Sequence, residues 1–239
     1  MEKTNVLFIL TDDQGVWAAS CYGNSEIRTP NLDRLAATGM RFENFFVSTP
    51  VCSPSRATLL TGRIASQHGI HDWIREGNIG SDAACYLEGE LAYTDVLAQA
   101  GWICGISGKW HLGHSQQEQH GFEHWYVHQQ GGGEYNNAPM IRNGELIEEP
   151  GYVTDAITED ALSFIDRHGN GEQPFYLNLW FFHMHRPVVA STSQRLVYEG
   201  ETFPPSDFTS HMRAYSELMT ESEARFLAYN AVVTGMDEA

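Results

Sequence analysis

Asn5-Val6-Leu7-Phe8-Ile9-Leu10-Thr11-Asp12-Asp13 is the stretch that sets the architecture. Val6 to Leu10 is an unbroken apolar run of strand length, the pattern of a strand covered on both faces. It ends in two carboxylates without a small-residue cleavage site, so it reads as a strand and not as a secretion signal. Working outward, Thr29-Pro30 places an N-cap before a proline at a first helical position. Gly39 closes that helix, which carries Leu32, Leu35 and Ala36. Arg41 to Val47 reads as extended chain. Ser53-Pro54 opens a short helix that runs to about Leu60 and stops at Gly62. Tyr93 to Ala100 is helical with Gly101 as terminator, and Trp102 to Ile106 is the next buried strand. Gly113 to Gly151, rich in Gly, Gln, His and Asn, reads as a long excursion. Ile157, Ala161, Leu162, Phe164 and Ile165 mark an amphipathic helix ending at His168-Gly169, and Phe175 to Phe182 is an almost unbroken apolar strand. Strands alternating with helices point to an α/β fold, a mostly parallel central sheet flanked by helices on both faces.

The end of the chain reads differently. Thr220-Glu221-Ser222-Glu223 has the form of a capping box, and Ala224, Leu227, Ala228, Ala231 and Val232 continue one stripe. The helix closes at Met236-Asp237-Glu238-Ala239 with no Gly or Asn cap, and with carboxylates where the helix dipole disfavours them. The expectation is a cut inside a longer protein.

Composition narrows the function classes. Lys plus Arg number 14 against 31 Asp plus Glu, a net charge of −17 over 239 residues, which argues against a nucleic-acid partner. No run approaches the roughly 18 apolar residues of a membrane span, and the length suffices for one core. Cys21, Cys52, Cys85 and Cys104 are scattered, which suits a reducing compartment. The chain as it stands reads as cytoplasmic, or as periplasmic or secreted if a signal has been removed.

Four clusters follow strands, where an open α/β sheet collects its ligands. Asp12 and Asp13 repel each other unless a cation lies between them, and hard oxygens suit Ca²⁺ or Mg²⁺; a solvated turn is the alternative. Cys52-Ser53-Pro54-Ser55-Arg56 puts a thiol just ahead of a helix N-terminus, with a guanidinium four residues on. That setting favours a thiolate nucleophile, though a structural cysteine fits the spacing nearly as well. Lys109 and His111, two apart in Gly108-Lys109-Trp110-His111-Leu112-Gly113, would point the same way on extended backbone, one as a point charge and one as a proton shuttle; a pair of surface-loop residues is the alternative here and for the next pair. His183 and His185, in Phe182-His183-Met184-His185-Arg186-Pro187, repeat the device. His68 and His71 read as loop packing, and Trp73, Trp102, Trp110 and Trp125 as core or pocket wall.

Asp12-Asp13, Cys52-Ser53-Pro54-Ser55-Arg56 with its continuation to Thr61-Gly62-Arg63, and Gly108 to Gly113 together closely resemble the type I sulfatases of the alkaline phosphatase superfamily. The resemblance begins at Asn5, runs through His185-Arg186-Pro187 and extends toward the Tyr229–Asp237 helix. It implies an alkaline-phosphatase-like fold, incomplete at the C-terminus, with residues 1–239 as the N-terminal part of a catalytic domain. It implies that Cys52 is converted to formylglycine by a maturation enzyme, and that the hydrate attacks the sulfur of a sulfate ester. Asp12, Asp13 and residue 52 would then be ligands of Ca²⁺, or of Mg²⁺. Arg56 would steady the hydrate, Lys109 would hold a sulfate oxygen and His111 would assist the chemistry at residue 52. His185 would contact sulfate near the leaving oxygen, and His183 the substrate.

Members of that family carry a second pair of metal ligands and a second lysine C-terminal to the matched region, and none is found before Ala239. The reading is therefore a sulfatase by descent, acting on a sulfated small molecule or carbohydrate. The alternatives are a phosphonate monoester or phosphodiester hydrolase using the same modified cysteine, and a non-catalytic anion-binding protein. An unfinished sheet could also pair with a second copy.

Overall fold

The apolar runs pair into one sheet. A computed structural model describes residues 4–201 and 222–239. The capping box at Thr220-Glu221-Ser222-Glu223 and the side chain of Ala224 lie outside the described residues. The strands are β1 (Val6–Leu10), β2 (Ile103–Gly108), β3 (Phe122–His128), β4 (Asn136–Arg142), β5 (Glu145–Tyr152) and β6 (Phe175–Trp180). They lie in the order β1-β6-β2-β3-β4-β5. β1, β6, β2 and β3 are mutually parallel, while β4 and β5 are antiparallel additions. The sheet is thus mixed: the expected parallel part runs inward from the β1 edge, and the antiparallel pair β4 and β5 forms the other side.

The helices are α1 (Pro30–Thr38), α2 (Cys52–Thr61), α3 (Ala65–His68), α4 (Tyr93–Gln99), α5 (Val153–His168), α6 (Thr192–Leu196) and α7 (Ser222–Glu238). Alternation along β2 shows how they cover the sheet. Gly105 and Ser107 face α5: a Cβ at 105 would stand 2.8 Å from the Phe164 ring, and Ser107 Oγ donates to Ile157 O at 2.9 Å. Cys104 faces the other way, its Sγ 3.8 Å from Thr94 O at the start of α4. On that side Leu60, Ile106, Trp110, Leu112 and Trp125 form the core. Trp73 departs from the expected core or wall role and is 47% exposed.

The chain divides into two compact units. One contains the residues up to Asp12 and Phe45–Phe182, with the whole sheet and α2 to α5. The other contains Asp13–Asn44 and His183–Ala239.

Four sequence expectations are corrected. β1 is an edge strand and not buried on both faces: it pairs with β6 alone among the described residues, and Val6, Leu7 and Ile9 are 39%, 42% and 48% exposed. Arg41 to Val47 forms no strand, and Phe45 and Phe46 stand exposed. The excursion from Gly113 to Gly151 holds β3, β4 and β5. A two-residue turn, Asn143-Gly144, joins the last two, with φ of 51° and 79°, as a type I′ hairpin turn needs. Finally, Asp237 does stand in the last turn of α7, as expected, but a second helix dipole compensates it. Its carboxylate accepts Asn31 N at 2.9 Å and Leu32 N at 2.8 Å, so it caps the N-terminus of α1 from another helix. Thr29, the expected cap, instead accepts Ser20 N at 2.9 Å through its hydroxyl.

Candidate active site

The register of the parallel strands determines where the site forms. Leu10 pairs with Trp180 and Trp180 with Gly108, so the carboxyl ends of β1, β6 and β2 lie in one row. Asp12 and Lys109 leave the sheet at that row. Gly108 makes the exit possible: its φ is 121°, and a Cβ there would sit 1.9 Å from Trp180 O. Lys109 N donates to that same carbonyl at 2.6 Å.

α2 enters from the side. Its first residue is Cys52 itself, with Val51 as N-cap, and Gly62 ends it in the left-handed conformation at φ 67°. Cys52 therefore lies inside the first turn, because the helix starts two positions before the proline that was expected to open it, and it is half-buried. No disulfide joins it or the other three cysteines. Arg56, one turn on, is 2% exposed. Its Nη2 donates to Asp12 Oδ2 at 2.8 Å and its Nη1 to Lys109 O at 2.8 Å, while its guanidinium lies 5.1 Å from the Trp180 ring centre. Lys109, fully buried, donates from Nζ to the same Asp12 Oδ2 at 2.7 Å. One carboxylate oxygen thus serves two buried cations.

Burial pushes the Asp12 carboxyl up, but the charges of Lys109 and Arg56 and their hydrogen bonds outweigh it and hold its pKa at about 2. Burial lowers the Lys109 pKa, and Asp12 only partly restores it. His111 is neutral: burial first, then the neighbouring charge of Lys109, hold its pKa at about 3. His111 is not on extended backbone, since its φ is 56°. Lys109 and His111 therefore do not share a strand face as expected, and a turn brings each into the site separately. The His111 ring bonds through Nε2 to Ile74 O at 2.8 Å. Two buried polar atoms, Arg56 Nε and His111 Nδ1, have no hydrogen-bond partner among the described residues. Arg56 Nε is a donor that an anion's oxygen could satisfy, and His111 Nδ1, with the ring proton on Nε2, is an acceptor that needs a hydroxyl.

The structure therefore brings Asp12, Cys52, Arg56, Lys109 and His111 together in one unit. Asp13, His183 and His185 belong to the other unit. There His183 is buried and His185 is half-buried, its Nδ1 donating to Arg186 O at 2.8 Å. His68 packs as expected, its Nδ1 accepting Ile70 N at 3.2 Å and its Nε2 lying 3.2 Å from Thr58 Oγ1. Sequence reasoning missed Ser53, Ile74, Trp180 and Gly131. Only the run Gly131-Gly132-Gly133 carried a signal, since three glycines mark backbone in close approach to something; a Cβ at 131 would lie 2.1 Å from His111 Cε1.

The expected Ca²⁺ does not fit the described residues as they stand. Asp12 Oδ2 already has two cationic partners, and among the described residues no three His, Cys, Asp or Glu side chains are grouped to hold a metal. Ca²⁺ takes six to eight oxygens, far more than Asp12, Asp13 and residue 52 supply.

Comparison with known proteins shows what the chain is similar to. The chain is 32% identical over 207 residues to N-acetylglucosamine-6-O-sulfatase of Bacteroides thetaiotaomicron, covering 85% of this chain and 34% of that protein. It is 35% identical over 227 residues to human N-acetylgalactosamine-6-sulfatase, covering 81% of this chain and 43% of that one. The chain thus spans less than half the length of either relative. Among solved structures, that of Ps i-CgsB in complex with k-i-k-neocarrahexaose superposes with a TM-score of 0.80 at 25% identity, over 99% of this chain and 53% of that one. The family profile described as Sulfatase matches residues 4–226, and with these relatives it establishes that the chain belongs to the sulfatase family.

Proposed function

We propose that the chain is the N-terminal part of a sulfatase catalytic domain that hydrolyses a sulfate ester at residue 52. The observation that carries this reading is the site's charge and its unsatisfied atoms. Arg56 and Lys109 against Asp12 leave one positive charge in excess, with an orphaned guanidinium N–H beside it. A buried surplus of this kind is compensated by an anion. Cys52 converted to formylglycine by a maturation enzyme would supply a hydrate oxygen as nucleophile, in the first turn of α2 where the helix dipole favours developing negative charge.

The other residues divide the work. Asp12 fixes the Lys109 ammonium and one edge of the Arg56 guanidinium, so both cations meet the substrate already oriented. Lys109 holds a sulfate oxygen, and Arg56 Nε donates to oxygen at residue 52 or on the ester. His111, held neutral and with Nδ1 unsatisfied, accepts a hydrogen bond from a hydroxyl of the hydrate and so orients it. His183 and His185 are assigned the substrate and the leaving oxygen. Ca²⁺ or Mg²⁺ at Asp12 and Asp13 belongs to this proposal only with further oxygen donors, and no step is taken through it. The named relatives make a 6-O-sulfated N-acetylhexosamine the first substrate class to test.

The experiment is mass spectrometry of the Cys52 peptide after co-expression with a maturation enzyme, followed by parallel assays with a sulfate ester and a phosphodiester. The expected result is CHO in place of CH₂SH at residue 52 and release of sulfate. Preferential phosphodiester cleavage would move the reading to a diesterase. A thiol that persists under co-expression would overturn it in favour of an anion-binding protein without turnover.

A further inference from the structure

The residue after the proposed nucleophile makes a contact that the functional reading does not use. Ser53 is fully buried in the first turn of α2. Its Oγ donates to the main-chain oxygen of His111 at 2.9 Å and accepts the main-chain N–H of Ile74 at 3.0 Å. A hydroxyl has one proton, and His111 O can only accept, so the roles at Ser53 are fixed. Ile74 closes the circuit, its carbonyl lying 2.8 Å from His111 Nε2. A carbonyl cannot donate, so that proton resides on Nε2. In a neutral imidazole the lone pair is then on Nδ1. Nδ1 is buried and has no hydrogen-bond partner among the described residues. One side of the ring is occupied by backbone, because a Cβ at Gly131 would come within 2.4 Å of both ring nitrogens.

We propose that Ser53 and the main chain of Ile74 form a latch that holds His111 as its Nε2–H tautomer and makes Nδ1 a hydrogen-bond acceptor facing the site, with Ser53 as a positioning residue. The acceptor role rests on the sulfatase reading; the latch and the tautomer do not. Ser53 ties the nucleophile's own helix to the histidine at two points, through the His111 carbonyl directly and through Ile74 to the ring. A shift of α2 therefore carries His111 with it. If Ser53 only filled space in a buried turn, removing its hydroxyl would leave the ring tautomer where it was.

The test uses the whole chain labelled with ¹⁵N, and it reads the histidine ring nitrogens through their long-range proton couplings. Signals absent from a His111→Gln variant assign His111. The expected wild-type result is a protonated Nε2 and an unprotonated Nδ1. Ser53→Ala should speed hydrogen exchange at the Ile74 amide by about tenfold or more, since a buried donor loses its acceptor. It should also convert the ring to a mixture of tautomers. Ser53→Thr, which keeps the hydroxyl, should restore both. A proton on Nδ1 in the wild type overturns the proposal by itself, whether or not Ser53→Ala folds. So does a Ser53→Ala protein with faster Ile74 exchange and an unchanged ring. The mass of residue 52 in the same samples, produced with the maturation enzyme co-expressed, keeps the two readings apart, because a latch found intact beside a thiol that persists there would sink the sulfatase reading alone.

Discussion

Asp12→Asn tests the electrostatic core of the site. The substitution keeps the shape of the side chain and one carbonyl oxygen but removes the only carboxylate paired with Arg56 or Lys109 among the described residues. Two routes give its cost. The fall of the Asp12 pKa from 3.8 to about 2 measures how much the fold prefers the charged carboxyl over a neutral one. At 1.36 kcal/mol per unit this is about 2 kcal/mol. Breaking a buried ion pair by removing one partner costs about 3–5 kcal/mol, because the surviving charge is stranded. The first figure already nets off the desolvation that an amide escapes, so Asp12→Asn should cost about 2–4 kcal/mol. Lys109→Met removes one of two cations and leaves a one-to-one pair with Arg56, so it should cost less. Urea unfolding followed by tryptophan fluorescence would measure both variants and the double variant, whose cost should fall short of the sum by about 1 kcal/mol or more. A cost below about 1 kcal/mol for Asp12→Asn, or strict additivity, would refute the shared-carboxylate account.

Three further outcomes follow from the same geometry. His111 titrates at about 3 when folded against 6.5 in the unfolded chain, so the unfolded state binds more protons between those values and stability falls as pH drops through that window. At pH 5 the loss is about 2 kcal/mol relative to pH 7. His111→Asn should flatten that slope in urea titrations at the two pH values, and an unchanged slope would assign it elsewhere. Gly131→Ala should cost about 1–3 kcal/mol and shift the His111 ring resonances, since the new methyl must displace the ring or the loop. A neutral effect would mean that the loop yields freely. Adding about 1 mM Ca²⁺ to this chain should raise stability by less than about 0.4 kcal/mol, the gain for a Kd of 1 mM or weaker. A larger shift in thermal unfolding would show that Asp12 exchanges its cationic partners for the metal.

What the sequence revealed, and what it hid, follows from where the information resides. β1, β2, β6, α1 and α5 were legible because apolar periodicity, capping residues and glycine stops are local. β4 and β5 were not, because Asn143-Gly144 was read as part of a polar excursion although it is a hairpin signal in its own right. The exposure of β1 was not legible either, since an edge position is a property of the sheet and leaves no mark on Val6 to Leu10. The charged members of the site were visible as side chains, Asp12 and Lys109 at strand ends and Arg56 one turn into a helix. Ser53, Ile74 and Gly131 were not. One acts through a hydroxyl that reads as a helix-start serine, one through its backbone, and one through the absence of a side chain.

The charge balance carries the last step. A chain at −17 repels polyanions at long range, yet screening by physiological salt confines exposed charges to about 8 Å, so most of that surface charge does not act on the site. At the strand ends, the buried groups Arg56 and Lys109 against Asp12 sum to +1, where solvent screens least. Asp12 sets that value. Without it two buried cations would face each other at high cost, and with a second paired carboxylate the site would be neutral. A sulfate monoester carries a single negative charge and matches the surplus, whereas a phosphate monoester dianion overshoots it. A phosphodiester also carries one charge, so charge cannot separate it from a sulfate ester, and only parallel turnover of the two will.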